Sequence, residues 1–255
     1  MSTKAKLVLI VAMRREVQPL LAECEKLAES PFICRADSLG VSHPQLPFRC
    51  NGSIVVCCGP GYKNASRATQ RAIESFAPEM AVSLGFAGAL TPELRVGDIF
   101  MPRHIVSERT GSAFTSPRGR GTLVTAERVA GPERKSVLVG RFRAQAVDME
   151  AAAVASVAAA RDCEFLALKV ISDTLDSRVD FVSPYVRPEG FRTGAFLAHI
   201  SVRPWLWPAV HVLRRNSSRA AESLCRAVRV LVSEGSGVVE GMYAPVDPLD
   251  ALRGD

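Results

Sequence analysis

Residues 80–90 read MAVSLGFAGAL, an apolar run that breaks into small residues at Gly85 and Gly88. A run of this kind is typical of a strand that is buried on both faces, as in a parallel sheet. Three further runs of the same character predict buried strands at 6–13 (KLVLIVAM), 52–58 (GSIVVCC) and 164–173 (EFLALKVISD). Residues 96–107, VGDIFMPRHIVS, predict another strand.

Helical patterns alternate with these strands. They cover residues 15–29, the amphipathic stretch 64–77 and an alanine-rich stretch that begins near residue 150. This alternation predicts an α/β fold, with a central, mostly parallel or mixed β-sheet flanked by helices. Glycine, serine and arginine dominate residues 108–121, which predicts a mobile loop. We expect a single domain over residues 1–255, with residues 177–255 as its helical C-terminal extension.

The composition is that of an ordinary globular protein, with 47% hydrophobic and 23% charged residues in 255. The net charge of +6 favours anionic ligands or an anionic surface. It is too mild to indicate nucleic-acid binding, and the three tyrosines and two tryptophans form no RNA-binding aromatic motif.

Seven cysteines occur without a CxxC pair or metal-like spacing: Cys24, Cys34, Cys50, Cys57, Cys58, Cys163 and Cys225. An odd count in this pattern predicts a reducing compartment and no disulfide framework. The four histidines, His43, His104, His199 and His211, are far apart, so we expect no metal site. The apolar run at 7–13 ends in two arginines without a cleavage signature, and no stretch approaches the length of a membrane span. We expect a cytoplasmic protein.

Two carboxylates stand at the head of the alanine-rich helix, in residues 146–162, AVDMEAAAVASVAAARD. Asp148 is a good N-cap, and Glu150 in the first turn complements the positive end of the helix dipole. The alternative is that a carboxylate here faces a poorly solvated ligand site, because an alanine-rich helix lets a neighbouring strand come close. The two interpretations are compatible.

Ligands of open α/β sheets gather at the carboxyl ends of the strands. The turns found there are residues 13–16 (MRRE), 59–61 (GPG), 85–88 (GFAG) and 172–173 (SD). Together they hold glycine-lined turns, carboxylates and two arginines, which suit a small, polar, partly anionic ligand. The turn at 59–64 lacks the third glycine of a dinucleotide fingerprint, which weighs against a dinucleotide-dependent reductase.

In order and spacing these segments resemble the purine nucleoside phosphorylase and methylthioadenosine/S-adenosylhomocysteine nucleosidase family. The resemblance covers roughly residues 6–177, and VDMEAAA with ISD is its most specific pairing; the segments that carry it are IVAMRREVQPLL (10–21), GPGYKNASRAT (59–69), SLGFAGAL (83–90), VGDIF (96–100), VDMEAAAVA (147–155) and KVISDTLD (169–176). Residues 190–210, GFRTGAFLAHISVRPWLWPAV, more weakly resemble the hopanoid-associated phosphorylase branch.

The resemblance implies a nucleoside phosphorylase-like domain and a role for each carboxylate. Glu150 would bind a ribose hydroxyl, with Met149 beneath the sugar, and Asp173 would protonate the purine at N7. Both roles suit the cleavage of an N-glycosidic bond, which develops positive charge on the ribose and needs an acid for the leaving group. Glu16 matches the glutamate with which nucleosidases orient water.

The resemblance also implies contacts with phosphate and with the base, and the residues for the base contact depart from the family pattern. Arg15, with backbone amides at Gly59, Gly61, Ala87 and Gly88, would bind phosphate as co-substrate. The alternative is that Arg14 and Arg15 are only the solvated start of a helix. Phe86 stands where nucleosidases carry serine, and Val129 falls where the family has an aromatic residue on the base, so Phe86 or the 108–121 loop is expected to contact the purine.

Phosphorolysis of a purine nucleoside, with adenine as the expected base, is therefore the expected activity, and hydrolysis is its alternative. A nucleoside-binding protein without turnover is a further alternative, opposed by the presence of both Glu150 and Asp173. We expect no cofactor or metal, and the resemblance implies a homo-oligomer.

Both tryptophans lie in residues 203–208, RPWLWP, just before an arginine-rich segment. One interpretation packs them in the core beneath a terminal helix. The other places them at a membrane surface, because tryptophan favours membrane interfaces and basic residues attract anionic lipid. Peripheral contact with the inner membrane face would suit a lipid-linked substrate such as adenosylhopane.

Overall fold

A computed structural model describes residues 5–27, 47–187 and 190–234. Its central sheet has eleven strands: β1 (Leu7–Val11), β2 (Glu25–Lys26), β3 (Phe48–Cys50), β4 (Ser53–Cys57), β5 (Met80–Ala89), β6 (Ile99–Phe100), β7 (His104–Ser107), β8 (Ala113–Thr115), β9 (Thr122–Thr125), β10 (Ala146–Asp148) and β11 (Glu164–Asp173). The strand order is β2-β3-β4-β1-β5-β10-β9-β7-β8, with β11 paired to β5 and β6. Parallel and antiparallel pairs are mixed, as predicted.

The long strand β5 organises the sheet. Along one edge it pairs in parallel with β11 over nearly its whole length. Its first half, Met80–Leu84, also pairs in parallel with β1, and its end, Gly88 and Ala89, pairs antiparallel with β10. The carboxyl ends of β1 and β10 therefore approach one another across the middle of β5.

The described residues form six α-helices: α1 (Gln18–Leu21), α2 (Tyr62–Phe76), α3 (Pro132–Phe142), α4 (Ala151–Ala159), α5 (Thr193–Ser201) and α6 (Trp207–Glu234). Alternate residues of β1 face opposite layers, because successive side chains of a strand point to opposite sides. Val8 and Ile10 pack with α2 and α4, whereas Leu9 and Val11 pack with α1 and α6. The sheet is thus covered by helices on both faces.

Three local predictions were wrong. The helix expected over 15–29 is only a 3-10 turn at Arg14–Glu16 and the short α1, since residues 25 and 26 instead pair with β3. The run 96–107 is split into β6 and β7. The loop expected at 108–121 contains β8, whose backbone pairs with β7.

The expectation of no disulfide was also wrong for one pair. The antiparallel pairing of β2 with β3 sets Glu25 opposite Arg49, so Cys24 and Cys50 lie opposite each other and form a disulfide. Their separation of 26 residues gave no local signal of this contact. Cys34 and His43 lie outside the described residues.

The C-terminal part is helical, as expected, but it opens with a 3-10 helix at Asp180–Tyr185 and a two-stranded hairpin, β12 (Val186–Arg187) and β13 (Gly190–Phe191). A 3-10 turn at Pro204–Leu206 leads into α6, and residues 235–255 of the expected extension are outside the described part. Within residues 5–27, 47–187 and 190–234, no helix combines the length and apolar character needed to cross a bilayer.

Candidate active site

The carboxyl ends of β1, β5, β10 and β11 surround a cavity of about 720 Å³. Nearly all residues that the sequence singled out line this cavity: Arg15, Glu16, Phe86, Ala87, Gly88, Val129, Met149, Glu150 and Asp173. The fold thus brings together residues that are up to 158 positions apart (15 to 173).

Glu16 enters the cavity from the 3-10 turn that follows β1. It is only 3% exposed, and its Oε2 accepts a hydrogen bond from the Met13 amide at 3.3 Å. Burial, followed by repulsion from Glu150, raises its pKa to about 8. Gly85 makes room for this carboxylate, because a Cβ at that position would lie 3.1 Å from Glu16 Oε2.

Asp148 caps α4, as one of the two interpretations predicted. Its Oδ2 accepts hydrogen bonds from the amides of Ala151 at 2.8 Å and Glu150 at 3.3 Å. Its Oδ1 accepts a hydrogen bond from Thr125 Oγ1 at 2.7 Å. Both Asp148 and Glu150 line the cavity, but both oxygens of the Asp148 carboxylate are already bonded to protein groups, so Asp148 has a structural role.

A buried lysine completes the support beneath these carboxylates. Lys169 Nζ lies 2.8 Å from Asp148 Oδ2 and donates to Ser83 Oγ at 2.9 Å, with neither Lys169 nor Asp148 side chain exposed. Burial acts to lower the pKa of Lys169, but the carboxylates of Asp148, Glu150 and Glu16 outweigh it and raise that pKa. The positively charged Lys169 thus lies beneath the carboxylates of the site.

Glu150 connects the helix start to the turn after β4. Its Oε1 accepts a hydrogen bond from the Gly61 amide at 2.8 Å. Burial, followed by the charge of Asp148, raises the pKa of Glu150 to about 7. With Glu16, it gives the site two carboxyl groups that change charge near neutral pH.

Asp173 ends β11 on the opposite side of the cavity. Its Oδ1 accepts a hydrogen bond from Ser172 Oγ at 2.8 Å, and its Oδ2 forms an ion pair with Lys135 of α3. The resemblance implied a neutral, proton-donating carboxyl here, and no feature of the sequence indicated that a cation lies beside it.

The predicted phosphate cradle does not form as expected. Neither Gly59 nor Gly61 lines the cavity, since the Gly59 amide donates to the Ala12 carbonyl at 2.9 Å and the Gly61 amide donates to Glu150. Ala87 and Gly88 lie within β5 between two paired strands. Arg15 does line the cavity, but it is exposed and its guanidinium lies over the Phe191 ring, 5.1 Å from the centroid.

The part of the cavity wall that residues 179–197 form is largely apolar, whereas α6 adds polar residues to the lining, namely Arg214, Ser217, Ser218 and Glu222. The apolar part is formed by side chains from the 3-10 helix, β12, β13 and α5: Val179, Val182, Val186, Phe191, Phe196 and Leu197. Phe196 stacks edge-on against Tyr185 and Phe191, which fixes this wall. The cavity therefore has a charged inner end and an apolar mouth.

Comparison with known proteins places this geometry in a family. Residues 6–120 and 117–187 match the Phosphorylase superfamily, and these ranges include the strand ends that carry the carboxylates. The chain belongs to the Phosphorylase superfamily. The family-level resemblance seen in the sequence is thus confirmed.

Relatives of this phosphorylase-superfamily chain bear nucleosidase names. It is 26% identical over 161 residues to a 5′-methylthioadenosine/S-adenosylhomocysteine nucleosidase of Staphylococcus epidermidis, covering 50% of this chain and 71% of the relative. It is 26% identical over 208 residues to an aminodeoxyfutalosine nucleosidase of Helicobacter pylori, covering 68% and 87%.

Solved structures confirm the predicted fold class. Futalosine hydrolase of Helicobacter pylori superposes with a TM-score of 0.65 at 18% identity, covering 90% of this chain and 98% of that one. A 5′-methylthioadenosine nucleosidase of Arabidopsis thaliana gives 0.64 at 17% identity, covering 93% and 99%.

Three residues that support the site were not predicted from the sequence: Gly85, against which Glu16 lies, and the buried lysines Lys135 and Lys169. Lysine is ordinarily a surface residue, so a pattern-based interpretation assigns it to solvent. The one available signal was the position of Lys169 within an otherwise apolar strand.

Proposed function

We propose that this protein cleaves the N-glycosidic bond of a purine nucleoside, with adenine as the base, and that water is the attacking group. The observation that carries this proposal is the convergence of Glu16, Glu150 and Asp173 on one cavity. Asp173 protonates the purine at N7, Glu150 binds a ribose hydroxyl and stabilises positive charge on the sugar, and Glu16 orients and deprotonates water.

Water is preferred to phosphate because of the charges at the inner end. A phosphate ion beside C1′ would lie against Glu16 and Glu150, whose raised pKa values already report the difficulty of adding negative charge there. The amides of Gly59 and Gly61 have protein partners. The names of the relatives, nucleosidases and a hydrolase, agree with this choice.

Phosphorolysis is the second candidate, and Arg15 favours it. Its guanidinium reaches the cavity wall, where a shift away from Phe191 would offer charge-assisted hydrogen bonds to an anion. Phosphate as co-substrate therefore stays a proposal for the experiment to decide.

The experiment is product analysis with and without phosphate. Wild-type protein is incubated with adenosine and 5′-methylthioadenosine, and released adenine is followed together with the free sugar (ribose or 5-methylthioribose) or its 1-phosphate. Hydrolysis predicts phosphate-independent release with free sugar, and Asp173→Asn should lower turnover by about 10²–10⁴-fold, the usual contribution of a general acid. Phosphate-dependent release with the sugar 1-phosphate would replace hydrolysis with phosphorolysis, and no release under either condition would refute both.

We also propose that the substrate carries a large apolar 5′ substituent. The nucleoside occupies the charged inner end, and the apolar mouth formed by Val182, Phe196 and Leu197 is left for the substituent. A lipid-linked adenosine such as adenosylhopane has this chemistry, as the resemblance to the hopanoid-associated branch implied. Increasing alkyl length at the 5′ position should lower KM, and an unchanged KM from methyl to octyl substituents would contradict it.

A further inference from the structure

Lys135 occupies a costly position for a cation. It lies in the first turn of α3, where the partial positive charge of a helix start disfavours an ammonium group, and its side chain is 0% exposed. Burying a charge is unfavourable unless partners compensate it, so the contacts of Lys135 explain why it is there.

Those contacts lead to the proposed acid. Lys135 Nζ donates to Asp173 Oδ2, and it donates to the Thr174 carbonyl at 2.6 Å. Ser172 Oγ holds the other oxygen of the same carboxyl. Lys135, Ser172 and Asp173 all line the cavity, so the pair meets the ligand site directly.

Gly88 supplies the space for this pair. A Cβ at Gly88 would lie 2.7 Å from Asp173 Oδ2 and 3.2 Å from both Cε and Nζ of Lys135. Because real Cβ atoms do not tolerate the first contact, any side chain at position 88 would push the pair apart. The lack of a side chain at Gly88 therefore allows Lys135 and Asp173 to pair against β5.

We propose that Lys135 is the proton source for Asp173, so that lysine and aspartate act together as the acid that releases the purine. The inference rests on the proposed function. Asp173 is held as the carboxylate partner of the Lys135 ammonium in an ion pair, and a carboxylate by itself has no proton to give.

The C1′–N9 bond breaks and its electron pair moves onto the purine, while a proton passes from Lys135 Nζ to Asp173 and from that carboxyl to N7. The water oxygen bonds to C1′ and its proton passes to Glu16. Lys135 is left neutral and regains a proton from solvent after the purine departs, as Glu16 loses one.

The test compares leaving groups that do and do not need a proton. We expect Lys135→Met and Asp173→Asn to lower kcat on adenosine by about 10²–10⁴-fold, the usual contribution of a general acid. Both should stay within about threefold of wild type on 4-nitrophenyl β-ribofuranoside, whose leaving group departs without a proton. Lys135→Arg should retain the contact with Asp173 but hold its proton far more tightly, so it should not rescue adenosine cleavage.

The neighbouring Arg134→Met is the matched control, because Arg134 is half exposed on the same helix and pairs with Glu108 away from Asp173. Equal losses of Lys135→Met on both ribosides would make Lys135 merely structural and overturn the proposal. Normal adenosine cleavage by Lys135→Met or Lys135→Arg would overturn it as well.

A readout without turnover separates this proposal from the proposed function. The carboxyl ¹³C signal of Asp173, assigned by its loss in Asp173→Asn, should report an ionised group in the wild type near neutral pH. A protonated Asp173 in the wild type would overturn the role of Lys135 even if nucleosides are cleaved. If the wild type cleaves neither riboside, the proposed function fails and the relay fails with it, whatever this signal reports.

Discussion

Glu16 gives the site a charge that changes near neutral pH. Its pKa is raised to about 8 by burial and by Glu150, so the free protein carries it mostly neutral at pH 7. As the base for water it must be ionised, and we expect kcat/KM to rise with pH towards about 8, the value for Glu16. Glu16→Gln should abolish this rise with most of the activity. A pH–rate profile that is flat from about pH 6 to pH 9 would remove Glu16 from that role.

The same residue links stability to pH. Its folded-state pKa of about 8 exceeds the ordinary value of 4.5, so its stabilising contribution is complete below about 4.5 and is lost as pH rises through 8. We expect the wild-type Tm to fall between about pH 6 and pH 9, by about 2–4 °C for each kcal/mol lost. Glu16→Gln should fall less over this range; an equal fall in both proteins would show that Glu16 is not the group responsible.

At the scale of single elements, β5 has a glycine at the place where a side chain from another element lies against it. Gly85 has φ of +144°, a conformation that side chains rarely adopt, and Glu16 lies against it. Gly85→Ala should destabilise the fold by about 1–3 kcal/mol and displace Glu16, lowering kcat/KM. Thermal unfolding and kinetics measure the two effects.

Gly140→Ala is the control for this substitution. Gly140 lies in the exposed part of α3, and no atom lies within 4 Å of the place that a Cβ would occupy there. Alanine should therefore leave activity unchanged and stabilise the fold by about 0.5–1 kcal/mol. Wild-type activity in Gly85→Ala would show that the carboxylate of Glu16 does not need its place against β5.

The elements that could be predicted from the sequence are the buried strands, because each of them is a continuous apolar run. β1, β4, β5 and β11 were located within one or two residues, because each is covered on both faces. β2 and β8 were missed because edge strands of two or three residues depend on the strand they pair with, which a local pattern does not reveal.

The same distinction applies to the site. Glu16, Glu150 and Asp173 were predictable because they stand in turns at strand ends, within segments that resemble a known family. Lys135 and Lys169 were not, since their burial follows from how α3 and β11 pack against β5. The phosphate role of Gly59 was inferred from residue type, whereas the direction of its amide depends on the neighbouring strand.

At the scale of the whole molecule, the apolar mouth of the cavity continues onto the surface. Leu197 lines the cavity and is 54% exposed, and Trp205 and Trp207 stand nearby at 70% and 57%. The interpretation that placed the tryptophans in the core was therefore wrong, since the 3-10 turn at Pro204–Leu206 directs them outward. Cytoplasmic location, homo-oligomerisation and a single domain remain predictions.

This exposed surface, with the arginines of α6 beside it, leads us to propose contact with an anionic membrane. Arg214 and Arg215 are exposed on the same helix that begins at Trp207, and Arg214 also lines the cavity. Wild-type protein should co-sediment with vesicles of equal parts phosphatidylcholine and phosphatidylglycerol at low salt, and high salt should release it. A lipid-linked nucleoside would then enter the mouth directly from the bilayer surface.

Trp205→Ala with Trp207→Ala should weaken this vesicle binding by about tenfold or more, since each indole would lose its place at the interface. Trp207 also donates to the Ile200 carbonyl at 2.9 Å, so circular dichroism must show that the double variant stays folded. Val137→Ala is the control, because Val137 is 58% exposed on α3 and lies outside the cavity lining. If wild-type protein ignores these vesicles, or if the folded double variant binds them as well as Val137→Ala does, the tryptophans are not a membrane contact and the substrate must reach the cavity from solution.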